Sequence, residues 1–306
     1  MHAERTEEVR FENIFRSPST GCSFCLSEHG ATMPKKKKLF YRENFKDYEN
    51  GTPCGRQFAR NGRIIGGRSA KDGEIPWIVS VHHFPTRECG GSIISKKWII
   101  SAAHCFDNKT YAGMFNFSNS FVRVGSLYKN NLGKSIGIEK IYIHPNYDIP
   151  HRYSNDIALI KIKNDIVYDE YTWPICLDRN NATVNDKITT VAGWGNIKKD
   201  GLVLSDVLKL VRLPIVENQM CQKWFKDRKK RLIVEDNQIC AGYKEGKKDA
   251  CQGDSGGPQY IKEGNTHILV GIVSNGIGCA QPQLPGLYTR VSSYVSWIDK
   301  IMQDNS

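Results

Sequence analysis

The sequence predicts an all-β protein built from two successive sets of strands, and three observations carry that expectation. From Ile64 onward, short runs rich in β-branched and aromatic residues recur at regular intervals. Glycine, proline, asparagine and paired lysines separate the runs, and these are residues that turn a chain between strands. A polar break near "YDEYTWPICLDRNN" divides the runs into two groups, the pattern of two barrels or sandwiches. The first group is "WIVSVHH", "GGSII", "WIISAAH", "FVRVG", "IYIHP" and "DIALIKI"; the second is "ITTVAGWG", "LKLVRLPI", "HILVGIVS" and "GLYTRV". Only "ENQMCQKWF" and the terminal "SSYVSWIDKIMQ" read as helix, the latter with Val295, Ile298 and Met302 on one face.

Residues 1–63 differ in character. They are polar, carry a "PKKKK" run and show few periodic apolar positions, so a leader with little core of its own is expected. The lysine run reads as solvated linker charge, with a nuclear signal or polyanion contact as alternatives. Cys22 and Cys25 have redox or half-zinc spacing, but no second pair follows at ligand spacing. A local disulfide, or pairing with an upstream module, is the better expectation. The opening "MHAERTEEVRFENIFRSPS" has no apolar run and is no signal peptide. The expectation is therefore that the natural N-terminus lies further upstream, rather than that export is unconventional.

Composition narrows the class. A chain of 306 residues has room for one large or two medium domains. Its 43 basic and 32 acidic residues leave a net charge of +11, extreme in neither part when divided at Arg63. That describes a solvated surface, or at most a polyanion-binding patch, and no nucleic-acid partner is expected. Ten cysteines suggest disulfides and an oxidising, extracellular setting. Glycosylation motifs at Asn50, Asn108, Asn116 and Asn181 are compatible with secretion. No stretch is long enough to span a membrane.

The chemistry centres on "KKDACQGDSGGPQY", residues 247–260. Ser255 there needs a base, and an imidazole base needs an acid to orient it. The match to G-x-S-x-G suggests an esterase elbow, but that motif requires a helix after the serine and a histidine beyond it. Gly256, Gly257 and Pro258 oppose a helix, and only His267 follows. Upstream, "WIISAAHC" places His104 after an apolar strand, and "SNDIALIKI" places Asp156 at the mouth of another. Either alone is ordinary; the order His, Asp, Ser is harder to dismiss.

With "IIGG", "SAAHC", "DIAL", "GWG" and "CQGDSGGP" in order, the chain from Ile64 to about Gln303 resembles a trypsin-like, chymotrypsin-fold serine protease. The resemblance implies two antiparallel six-stranded β-barrels with a C-terminal helix, a protease domain over 64–306 and a propeptide over 1–63. It implies Ser255 as nucleophile, His104 as general base, Asp156 as orienting acid, and an oxyanion hole from the N–H groups of Gly253 and Ser255. Asp249 would form the base of a pocket for substrate Arg or Lys, kept open by Gly276 and Gly286, with Ser274 behind the triad acid. Asn275 follows Ser274 where relatives usually carry tryptophan; it is a tolerated change or one that alters preference upstream of the cut. Cleavage between Arg63 and Ile64 would free an amino group to pair with Asp254.

The resemblance also implies the bridges Cys54–Cys176, Cys89–Cys105, Cys221–Cys240 and Cys251–Cys279. It implies protein substrates and protein protease inhibitors as partners, and no cofactor. No metal is expected, because the stretch 125–138 contains no acid and Pro285 stands where sodium-binding relatives carry an aromatic. Residues 223–231 hold Lys223, Lys226, Arg228, Lys229, Lys230 and Arg231. They form a solvated lip, or an exosite for an acidic substrate or sulfated glycan. The rival readings are a catalytically silent homologue and a polyanion-binding extracellular protein.

Overall fold

The computed structural model describes residues 54–59, 67–84, 87–107, 116–129, 133–179, 184, 187–197 and 203–306. The first strand, β1 (Arg68–Ser69), is short; the next six are β2 (Ile78–Phe84), β3 (Arg87–Ile93), β4 (Trp98–Ser101), β5 (Asn116–Val124), β6 (Lys134–Ile143) and β7 (Ala158–Ile162). β2 to β7 close into an antiparallel barrel in the order β2-β3-β4-β7-β6-β5. The wholly buried β4 anchors it, with Ile99 opposite Ile160 and Ile100 opposite Leu159. A strand buried on both faces reads as a continuous apolar run rather than an alternating one, and "WIIS" is such a run.

After β8 (Cys176–Leu177) come β9 (Ile188–Gly193), β10 (Lys209–Val216), β11 (Gln238–Ala241), β12 (Pro258–Glu263), β13 (Thr266–Asn275) and β14 (Gly286–Arg290). β9 to β14 form a second six-stranded antiparallel barrel, ordered β10-β11-β14-β13-β12-β9 and closed by the pairing of β9 with β10. β1 adds to the edge of β10, and β8 lies parallel beside β13. The expected two-barrel fold is thus the observed one. One apolar core runs from Ile99, Ile100 and Leu159 of the first barrel to Leu210, Leu269 and Ile272 of the second. Both barrels belong to one compact unit, Gly51–Ser306.

Two helices complete the described chain. α1 (Asn218–Asp227), the helix expected over "ENQMCQKWF", buries Cys221 and Phe225 and carries Lys223 and Lys226. α2 (Val295–Asp304) follows a single 3₁₀ turn, Val291–Tyr294. Its anchor is the fully buried Ile298, with Trp297, Ile301 and Met302 packed partly against the core. Among the described residues, no helix is long and apolar enough to cross a membrane.

Among the described residues four disulfides brace the unit: Cys54–Cys176, Cys89–Cys105, Cys221–Cys240 and Cys251–Cys279. The first fastens residues 54–59 to the body, where Gly55 N–H donates to Pro174 O at 2.7 Å and Phe58 meets Trp173 edge-on at 5.5 Å. The Gly55 carbonyl accepts from the His267 backbone N–H at 2.8 Å and from its Nδ1 at 3.0 Å. Cys22, Cys25, Asn50, Arg63, Ile64, Asn108 and Asn181 lie outside the described residues; Asn116 opens β5 opposite Phe84.

Candidate active site

His104 sits in a 3₁₀ turn, Ala103–Cys105, directly after β4, and the Cys89–Cys105 bridge ties that turn to β3. Asp156 precedes β7 and is fully buried. Its Oδ2 accepts from His104 Nδ1 at 2.7 Å and from Ser274 Oγ at 2.5 Å, and its Oδ1 accepts from the His104 backbone N–H at 2.8 Å. The Asp156 carbonyl accepts from Thr289 Oγ1 at 2.7 Å. A carboxylate can only accept, so the proton of a neutral His104 stays on Nδ1 and Nε2 keeps its lone pair. Tyr153 stands edge-on to the imidazole, 5.7 Å between centroids.

Ser255 lies in the turn between the Cys251–Cys279 bridge and β12. Asp254 N–H donates to Cys251 O at 3.0 Å, Gly257 N–H to Asp254 O at 2.9 Å, and Gly256 N–H to Val273 O at 2.8 Å. The Ser255 carbonyl accepts from Gly90 N–H of β3 at 2.6 Å, so the other barrel holds the turn. Gly256 has φ +78°, and a Cβ there would collide with Ser101 Oγ and the Gly90 carbonyl. A side chain would be excluded both by conformation and by space. Gly253 likewise has a positive φ, +98°.

His104 and Ser255 line one cavity of about 820 Å³, together with Asp249, Ser274, Gly276 and Gly286. Asp156 stands behind His104, and Gly253 and Asp254 are not among the lining residues. Asp249 accepts from Ala280 N–H at Oδ2, 3.0 Å, while its buried Oδ1 and the buried Tyr288 hydroxyl have no protein partner. Burial lifts the Asp249 carboxyl to about 7, against the pull of its backbone hydrogen bonds. A Cβ at Gly286 would stand 3.1 Å from Asp249 Oδ1, whereas one at Gly276 would make only ordinary contacts.

Asp254 is buried beneath the turn. Its Oδ1 accepts from Gly195 N–H at 2.8 Å and its Oδ2 from Cys251 N–H at 2.9 Å. Burial pushes this carboxyl up to about 6, with the two N–H bonds pulling the other way. Gly193 and Gly195 of "GWG" make room for it, since a Cβ on either would collide with the carboxylate. Among the described residues neither Asp249 nor Asp254 has a cationic partner.

One further grouping, Cys89, His104 and Cys105, has metal-like proximity. Its two cysteines are joined to each other, so neither offers a thiolate. The residues that sequence reasoning missed are Thr289, which supports the Asp156 carbonyl, and Tyr153 and Arg152, which share the cavity wall. Nothing in "LYTRV" or "PHRYS" distinguishes them from ordinary strand and loop residues.

A protein-family model described as Trypsin matches residues 64–298. The serine protease filzig of Drosophila melanogaster is 35% identical over 293 residues, covering 90% of this chain and 17% of that protein. The serine proteinase stubble of the same organism is 36% identical over 248 residues, covering 77% of this chain and 30% of that protein. A venom protease of Bombus pensylvanicus is 37% identical over 252 residues, covering 76% of this chain and 96% of that protein. This chain therefore spans less than a third of the two Drosophila relatives and nearly all of the bumblebee one. Two closed barrels, a buried aspartate fixing a histidine, and a family match over most of the length lead to one assignment: this chain belongs to the trypsin family of serine proteases.

Proposed function

We propose that the chain is the secreted zymogen of a serine endopeptidase that hydrolyses peptide bonds after Arg or Lys. The observation that carries this reading is the hydrogen-bonded series Ser274–Asp156–His104 beside a cavity shared by Ser255 and the Asp249 carboxylate, which has no cationic partner among the described residues. In the reaction, His104 Nε2 takes the Ser255 hydroxyl proton as Oγ bonds to the substrate carbonyl carbon. The tetrahedral oxyanion is held by N–H groups of Gly253 and Ser255. His104 then gives its proton to the departing amine, leaving an acyl-enzyme. Water hydrolyses the ester by the same steps, with His104 again as base and then acid. Asp156 stays ionised and stabilises the imidazolium.

Residues 1–63 are the propeptide and 64–306 the protease domain. Cleavage after Arg63 frees an ammonium group on Ile64. Its pairing with Asp254 would order the turn carrying Gly253 and Ser255, and the burial of the Asp254 carboxylate, with no cationic partner among the described residues, supports that role. Protein substrates with Arg or Lys before the cut, and protein inhibitors that mimic them, are the partners. The names of the relatives, a serine protease, a serine proteinase and a venom protease, agree with this chemistry.

Trypsin cleavage of the recombinant chain tests the reading. Cut protein should label with a fluorophosphonate at Ser255 and digest a peptide library after Arg and Lys. Arg63→Gln should resist activation, and Asp254→Asn should stay inactive after a verified cut. Correctly cut protein that neither labels nor hydrolyses would instead be a silent homologue.

A further inference from the structure

The cleft carries more cationic charge than its proposed chemistry uses. Arg152, Lys229, Lys230 and Arg231 all line it. All four are exposed, and none has a carboxylate partner among the described residues. Among the described residues the only carboxylate lining the cavity is that of the half-buried Asp249. Like charges gathered in a concavity repel one another and focus field into it, so such a rim attracts anions.

The backbone beneath these charges is held in place. α1 ends with Lys230 N–H donating to Phe225 O at 2.8 Å, and Lys229 takes φ +54° at the residue between helix and return. That is a Schellman-type stop, where glycine is the usual occupant. The returning chain is clamped by Gln222, whose Nε2 donates to Leu232 O and whose Oε1 accepts from Val234 N–H, both at 2.9 Å. In the adjoining segment that carries Arg152, Tyr153 and Asn155 are also left-handed. Asp148 Oδ1 accepts from Tyr153 N–H at 3.0 Å, and Asn155 Nδ2 donates to Asn146 O and Ile149 O. Ser154 Oγ donates to Glu235 Oε1 at 2.8 Å and fastens this segment to the one carrying Lys229, Lys230 and Arg231.

We propose that Arg152, Lys229, Lys230 and Arg231 make this cleft select peptide substrates bearing Asp or Glu within four residues of the cleaved bond. An extended peptide advances about 3.3 Å per residue, so side chains two to four places from the bond reach walls that also enclose His104 and Ser255. Their placement inside the cavity that also holds His104 and Ser255 favours a peptide threaded through the site over a sulfated glycan lying across the outside. On the outer side the basic track is interrupted, because Lys223 is engaged by Asp227 at 2.9 Å. This inference rests on the protease reading above and refines its substrate class.

The test uses the full chain cut after Arg63 and fluorogenic peptides with one Arg. Their flanks are neutral, or carry Asp or Glu scanned through four positions on each side. Turnover of the neutral peptides tests the protease reading by itself. The ratio of acidic to neutral kcat/KM tests the rim. It should rise about fivefold per acidic residue at the favoured positions, the effect of one partly exposed ion pair, and shrink as salt is raised. The triple variant Lys229→Glu, Lys230→Glu, Arg231→Glu should invert that ratio, and Arg152→Gln should lower it. If no peptide is cut, anisotropy of a labelled acidic Arg peptide, with its neutral counterpart as control, reads the rim directly. Equal handling of acidic and neutral peptides, or an unchanged ratio in the triple variant, overturns the proposal. So does loss of retention on a heparin column in that variant without any acidic preference in the parent, which would assign the rim to a glycan.

Discussion

Asp249 and Asp254 lie in one short stretch and are both lifted well above the ordinary carboxyl value of 3.8, to about 7 and about 6, by burial. Between those values and 3.8 the folded chain binds protons that the unfolded chain has released. Stability is therefore full below about pH 4 for these groups and falls as the pH rises through 6 and 7. Asp249→Asn removes the larger part of this dependence. In urea titrations of the uncut chain it should be nearly neutral at pH 4 and stabilising by roughly 1–3 kcal/mol at pH 8. The same substitution should abolish the Arg preference of the activated enzyme. In the parent, kcat/KM for Arg substrates should rise through about pH 7 as Asp249 ionises. A flat stability difference between pH 4 and pH 8 would show that Asp249 stays charged throughout.

At the scale of elements, α1 and its return carry a comparable opposition. Lys229 holds a left-handed conformation that glycine adopts without strain. Lys229→Gly should raise stability by about 0.5–1 kcal/mol, read as a higher thermal midpoint, while reducing the acidic preference proposed above. The elements differ in how legible they are in the sequence. β4 and β7 stand out because they are buried on nearly every residue and so concentrate Ile and Leu. β11 is four residues long, and β12 opens on Pro258 and ends on exposed Lys262 and Glu263, leaving too few apolar positions to show a period. His104, Asp156 and Ser255 were readable because their chemistry demands specific residue types within short, recognisable phrases. Thr289 and Tyr153 come near Asp156 and His104 only through the folding of distant strands and loops, and no local pattern reports that. The basic stretch was visible as composition, but only the stop at Lys229 and the clamp by Gln222 separate the residues that face the cleft from Lys223 on the helix.

At the scale of the whole molecule, the Cys54–Cys176 bridge closes over 122 residues of separation and spans the proposed cut after Arg63. Cut protein should run as one band unreduced and two bands reduced, and Cys54→Ser should let the leader separate on gel filtration. Gly90 N–H reaches the Ser255 carbonyl, while Ser274 and Thr289 reach Asp156 from the second barrel. In rising urea, activity should therefore disappear before the circular dichroism of the strands does. Neither barrel alone possesses the catalytic alignment; it exists as a tolerance between two parts, like the fit of a lock plate to its frame. Loops on the outer walls can then be exchanged to change what is cut, without either half having to reinvent how cutting is done.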